Sequence, residues 1–196
     1  MDKRHIYVVL TRTNTLVSRL IRLFKKDEYT HASIALDRDL RNMYSFGRKY
    51  LYYPFVGVFK VENKDEGVYR LQKKVPCVVL EVEVTQQQYE KAQSIISHFV
   101  ASGYLYKYNY KGLLYNLLNI EAYSENRFLC SEFVYYVLNQ SGVVNFNIPR
   151  NLVRPESLLN IKSSIMYKGD LKTFGQESKW FKEGTAHIRR LNPIYE

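Results

Sequence analysis

The sequence predicts an α+β fold in a single domain covering residues 1–196. Three observations carry that prediction. Segments with period-two or unbroken apolar patterning (6–10, 30–36, 75–84) alternate with segments of helical period (85–102, 130–141). A short polar turn separates the strand at 30–36 from an apolar return at 43–46, which is the pattern of an antiparallel hairpin. The chain is 46% hydrophobic and 15% aromatic, enough to bury a core at this length, and no repeat, low-complexity segment or linker divides it.

The elements follow in order. Residues 6–10 read as a buried strand. Thr13 or Asn14 caps a helix running to about Lys26, with Leu16, Leu20, Leu23 and Phe24 on one face and Arg19, Arg22 and Lys25 on the other. That apolar face is expected to pack on the domain and not on a membrane. Residues 30–36 form a strand, 37–42 a turn, and 43–46 its hairpin partner, ending at Gly47. Residues 48–66 read as a long aromatic loop holding Tyr50, Tyr52, Tyr53, Pro54, Phe55 and Gly57. A short strand is expected at 67–71 and a stronger one at 75–84, with Val78, Leu80, Val82 and Val84 on one face and Glu81 and Glu83 on the other.

Thr85 with Gln88 makes a capping box opening a helix to about Ser102, with Tyr89, Ala92, Ile96, Phe99 and Val100 inward. A tyrosine-dense stretch at 103–110 precedes a short helix at 111–120. A helix beginning at Cys130 stops at Gly142 and turns Phe133, Val134, Val137 and Leu138 to the core. A loop between Pro149 and Pro155, a helical turn after Pro155, a strand at 164–168 and a peripheral tail complete the chain.

Lysine and arginine outnumber aspartate and glutamate 29 to 19, for a net charge of +10. That favours anionic partners of some kind, including an anionic surface, without choosing among them. Two cysteines make no disulfide framework. The short apolar run after the charged N-terminus lacks a cleavage site, and no segment approaches the length of a membrane span, so a cytoplasmic location is expected.

Chemistry concentrates at two places. Cys130, in Phe128-Leu129-Cys130-Ser131-Glu132-Phe133, stands at a helix start, where free N–H groups stabilise a thiolate and can hold an oxyanion. His31 opens a strand; alternation puts it on the face of Ser33, Ala35 and Asp37. A nucleophile and base of this kind need a third polar group to orient the imidazole. Ser45, on the hairpin return, is the choice; Asp37 lies too far down the strand. An inert core cysteine and a histidine satisfied by a carbonyl are the commoner fates of each residue alone.

In combination, the motifs resemble the NlpC-type papain-like superfamily in its circularly permuted form, the YiiX-like cysteine hydrolases. The resemblance is carried by Leu20-Ile21-Arg22, by Tyr29-Thr30-His31-Ala32-Ser33-Ile34, by Leu129-Cys130-Ser131-Glu132-Phe133-Val134 and by Arg154-Pro155-Glu156-Ser157-Leu158-Leu159. The histidine precedes the cysteine by 130 − 31 = 99 positions, the order of the permuted members. The resemblance implies one papain-like domain, an antiparallel half-barrel packed on helices. It implies Cys130 as nucleophile, His31 as base and a third polar residue on the next strand, which falls on Ser45. Relatives with a stronger acceptor carry His, Asn, Gln or Glu there. Amide or ester cleavage through a thioacyl intermediate follows, with Tyr108, Tyr53 and Phe55 as substrate-binding residues and no cofactor. The substrates that fit are a peptide, a cell-wall fragment or a lipid.

Two alternatives compete. One keeps the Cys-His pair and moves acyl chains between lipids. The other is a non-catalytic basic module for nucleic acid or an anionic membrane, but no nucleic-acid motif is visible and the basic residues are not clustered with the tyrosines. His5, His31, His98 and His187 are scattered and Cys77 has no partner at ligand spacing, so no metal is expected. Oligomeric state is not legible.

Overall fold

A computed structural model describes residues 3–13, 25–50 and 56–175. Their frame is a six-stranded antiparallel sheet. In chain order its strands are β1 (Arg4–Thr11), β2 (His31–Ala35), β3 (Met43–Arg48), β4 (Gly57–Glu62), β5 (Pro76–Val84) and, last, β8 (Ser164–Asp170). They lie side by side as β4-β3-β2-β1-β5-β8. A two-stranded parallel ladder, β6 (Lys107–Tyr108) with β7 (Arg127–Phe128), stands apart. The helices are α1 (Gly67–Arg70), α2 (Gln86–Ser102), α3 (Tyr110–Leu117) and α4 (Cys130–Gln140).

The sheet is covered on both faces, which is why its middle strands are nearly continuous runs of buried residues. On one face Ile6, Val8, Leu10, Ala32, Ile34 and Phe46 pack beneath α2 and α4. Phe133, Val134, Val137 and Leu138 are wholly buried there, as their spacing predicts. An aromatic cluster fills the join: Phe133 lies 5.0 Å from Phe99, 5.6 Å from Phe46 and 5.4 Å from Phe59 between ring centres. On the other face Tyr7, Val9, Ala35, Met43, Tyr69 and Val79 form a smaller core.

Most boundaries agree with the sequence reading to within a residue or two, and the capping box of Thr85 and Gln88 is formed in both directions. Three expectations are corrected. Residues 57–62 are a paired strand and not loop; Val58, Lys60 and Glu62 alternate with Phe59 and Val61, a period-two signal hidden among aromatics. Residues 67–70 are one helical turn and not a strand, for the run is too short to show either period. Val100 is exposed, one position round α2 from the buried Phe99. The basic helix expected at 14–24 and the aromatic residues 51–55, with Tyr53 and Phe55, lie outside the described residues. Among the described residues no helix is long and apolar enough to cross a membrane.

Candidate active site

Cys130 and His31 meet at the end of the sheet where β1 stops and β2 starts. The register pairs His31 with Thr11, the last residue of β1. Cys130 is the first residue of α4, and the helical ladder begins only with Phe133 N–H donating to Leu129 C=O. The N–H groups of Cys130, Ser131 and Glu132 therefore have no intrahelical acceptor and point out of the helix start. The Cys130 side chain stands close enough to the His31 imidazole to raise its pKa. Both line a solvent-open cleft, with Tyr108 and Leu129 beside them.

The third member is Glu62, not Ser45. His31 Nε2 lies 2.9 Å from Glu62 Oε2, which leaves Nδ1 as the ring nitrogen for the thiol. Glu62 is buried and also accepts from the Tyr69 hydroxyl at 3.2 Å. Ser45 is fully buried and its hydroxyl donates to the Ala32 carbonyl at 2.6 Å, so it is spent on the backbone of β2. Gly47, two residues on, acts by being small. A Cβ added to Gly47 would stand 3.3 Å from Glu62 Oε1 and 3.9 Å from His31 Cε1, so the bare backbone of β3 lets the carboxylate reach across from β4.

Charge follows from this packing. Burial pulls the His31 pKa down, but the Glu62 carboxylate and the hydrogen bonds to Cys130 and Glu62 outweigh it and raise the value to about 10. Burial likewise pushes Glu62 up, and the His31 charge overcomes it, with help from Lys60 and the Tyr69 hydroxyl, to hold the carboxyl below its ordinary range. At neutral pH the site thus holds an imidazolium between a carboxylate and a sulfur. Tyr108 is raised well above the ordinary phenol value, by burial first and then by the charge of Cys130, so its hydroxyl keeps its proton and can donate. Burial in the second core, on the other face of the sheet, pushes the Cys77 thiol up to about 12.

Family models and curated proteins were compared with the chain, and neither gave a match.

Two buried polar ties hold the start of α4. Glu132 accepts from the Leu129 N–H at 3.0 Å, half of a capping box; Leu129 has no acceptor to return. Glu132 also accepts from Asn109 Nδ2 at 3.2 and 3.3 Å. Asn109 caps α3 through Gly112 N–H and donates its own N–H to the Phe128 carbonyl. One Asn–Glu contact therefore fixes Tyr108, the neighbour of Asn109, relative to Cys130. Gly57 completes the fit, because a Cβ there would meet the Tyr108 side chain at 2.5 Å. The second tie is Ser131, whose hydroxyl donates to Val153 C=O at 2.7 Å. Next to it, Arg154 pairs with Asp27 at 2.6 Å, and Glu156 accepts the N–H groups of Glu28 and Tyr29, just before β2. The segment after α4 thus locks the approach to His31.

Of the residues singled out from sequence, Cys130, His31 and Tyr108 line the cleft, and Ser45 is not among its lining residues, its hydroxyl bonding the Ala32 carbonyl instead. Glu62 and Tyr69 went unnoticed because they fall in segments read as loop and strand. Among the described residues no group of three or more His, Cys, Asp or Glu side chains is placed to hold a metal ion.

Proposed function

We propose that the protein is a cysteine hydrolase of the permuted papain-like, YiiX-like kind, cleaving an amide or ester. The observation that carries the reading is the relay Cys130–His31–Glu62 in one cleft at a helix N-terminus. The antiparallel sheet packed on helices, with His31 at a strand head before Cys130 in the chain, supports it.

In this mechanism the Cys130 proton rests on His31, and the sulfur attacks the substrate carbonyl carbon. The oxyanion is held by the Cys130 N–H and the Tyr108 hydroxyl. His31 gives the proton to the departing amine or alcohol as the carbon–leaving-group bond breaks, and a thioester remains. Water then loses a proton to His31 as it attacks the thioester carbonyl. Collapse expels the Cys130 thiolate and releases the acid. Glu62 orients the ring and stabilises its charge. Turnover of 4-nitrophenyl acetate and labelling by an iodoacetamide probe at neutral pH test this. Both are expected to vanish in Cys130→Ala and persist in Cys77→Ser. Full turnover in Cys130→Ala overturns the reading.

A second reading, acyl transfer between lipids by the same pair, draws on α3. Leu113 lines the cleft while Leu114 and Leu118 on the same helix region are 56% and 60% exposed. Acyl transfer to an added lysolipid, faster than release to water, would favour it.

A further inference from the structure

Tyr69 carries a hydroxyl that core packing alone does not require. α1, the single turn that follows β4, brings the residue back to Glu62, seven positions upstream. The Tyr69 ring is 3% exposed and belongs to the smaller core with Tyr7, Val9, Met43 and Leu171. A phenylalanine would fill that space as well. What it would lack is the bond to Glu62 Oε2 at 3.2 Å, on the same oxygen that faces His31 Nε2 at 2.9 Å. The Tyr69 and His31 rings stand 6.5 Å apart between centres, tilted by 60°. Lys64, in the loop before α1, donates to the Phe174 carbonyl at 2.7 Å and so ties this turn to the segment after β8.

Two donors converging on one oxygen restrain a carboxylate more than either does alone, because each direction of approach fixes part of its plane. A hydrogen bond to the charged form also favours that form. Burial first, and then the Glu62 charge, raise the Tyr69 pKa well above the ordinary phenol value, so its hydroxyl keeps its proton and donates. A Glu62 held ionised leaves the shared proton on the His31 ring, where the imidazolium is needed.

We infer that Tyr69 is a positioning residue of the proposed reaction, its hydroxyl holding the Glu62 carboxylate in place against His31. The inference rests on the hydrolase reading and adds a fourth member to Cys130, His31 and Glu62. Tyr69 acts through Glu62 and takes no part in bond making or breaking.

Tyr69→Phe tests it on the full chain, since it keeps the ring in the core and removes the hydroxyl alone. With 4-nitrophenyl acetate, kcat should fall about tenfold, the scale of one hydrogen bond to a charged group, with KM little changed. The groups that face Glu62 are His31 from β2, Lys60 from its own strand and Tyr69 from α1. Of these, Tyr69 alone is altered, so the acid limb of kcat/KM should move to higher pH. The Glu62 carboxyl titration followed by carbon NMR should move with it. Tyr7→Phe is the matched control: Tyr7 belongs to the same core and donates to the Glu81 carboxylate at 3.2 Å. It should leave kcat and the acid limb where they were. In Glu62→Gln, where no charge remains to be held, adding Tyr69→Phe should cost little further activity. An unchanged kcat in Tyr69→Phe, or a fall with an unmoved acid limb, overturns the role of Tyr69 while leaving the hydrolase reading in place. So does a fall matched by Tyr7→Phe, or one that adds in full to that of Glu62→Gln. Turnover that Cys130→Ala retains in full overturns both.

Discussion

Glu62 is the residue on which the site's electrostatics turn. It stands between the His31 ring and the Tyr69 hydroxyl, buried, with an opposite charge 2.9 Å away. Removing one partner of such a pair strands the other without a counter-charge. Glu62→Gln keeps the shape and a hydrogen-bonding group but removes the charge. The His31 pKa should then fall from about 10 toward its ordinary value. Titration of the His31 ring Cε1–H by NMR checks this. An unchanged titration would show that the carboxylate is not the cause. Glu62→Ala should cost about 3–5 kcal/mol of stability in urea unfolding. Ser45→Ala separates the two candidates for third residue. It removes one buried donor to Ala32, should cost about 1 kcal/mol and should leave the His31 titration where it was.

At the scale of elements, the start of α4 is set by partners drawn from distant parts of the chain. Glu132 is fully buried; burial raises its pKa, and Leu129 N–H, Asn109 and the Arg150 charge pull it back. Arg150 itself stacks over the Phe128 ring at 4.3 Å. Glu132→Ala would leave two buried donors unpaired, at a cost of about 3 kcal/mol. It should also slow iodoacetamide labelling of Cys130, whereas Glu132→Gln, which can still accept from Leu129, should retain most of both. Thermal unfolding and labelling rates measured together check the pair. The same contrast explains what the sequence made legible. Cys130 and the α4 face could be read because Phe133, Val134, Val137 and Leu138 repeat at helical spacing within one segment. His31 could be read because it heads an alternating strand. Glu62 could not, because its role depends on β4 pairing with β3 and on the missing side chain of Gly47, relations between segments that no local period encodes. Tyr69 was hidden in a four-residue turn, and Asn109 in a tyrosine-rich stretch whose partner, β7, is two residues long.

The whole molecule couples this site to the stability of the sheet, since Glu62 and His31 lie in strands separated only by β3. Their pKa shifts fix how stability responds to pH. His31 has a folded value of about 10 against an ordinary 6.5. A raised value means the folded state holds the proton more tightly, so its contribution is full below 6.5 and is lost as pH rises toward about 10. Glu62 is lowered from 4.5, so its contribution is full above 4.5 and is lost as pH falls through the folded value. The two windows overlap between 4.5 and 6.5. Urea unfolding of the unaltered protein and of Glu62→Gln across this range should therefore give a stability difference that is greatest on that plateau. It should shrink on the acid side as Glu62 takes up a proton and on the alkaline side as His31 gives one up. A difference that stays constant from the plateau to pH 10 would mean that the imidazolium–carboxylate pair does not form in the folded protein, and the role of Glu62 in the proposed mechanism would fall with it.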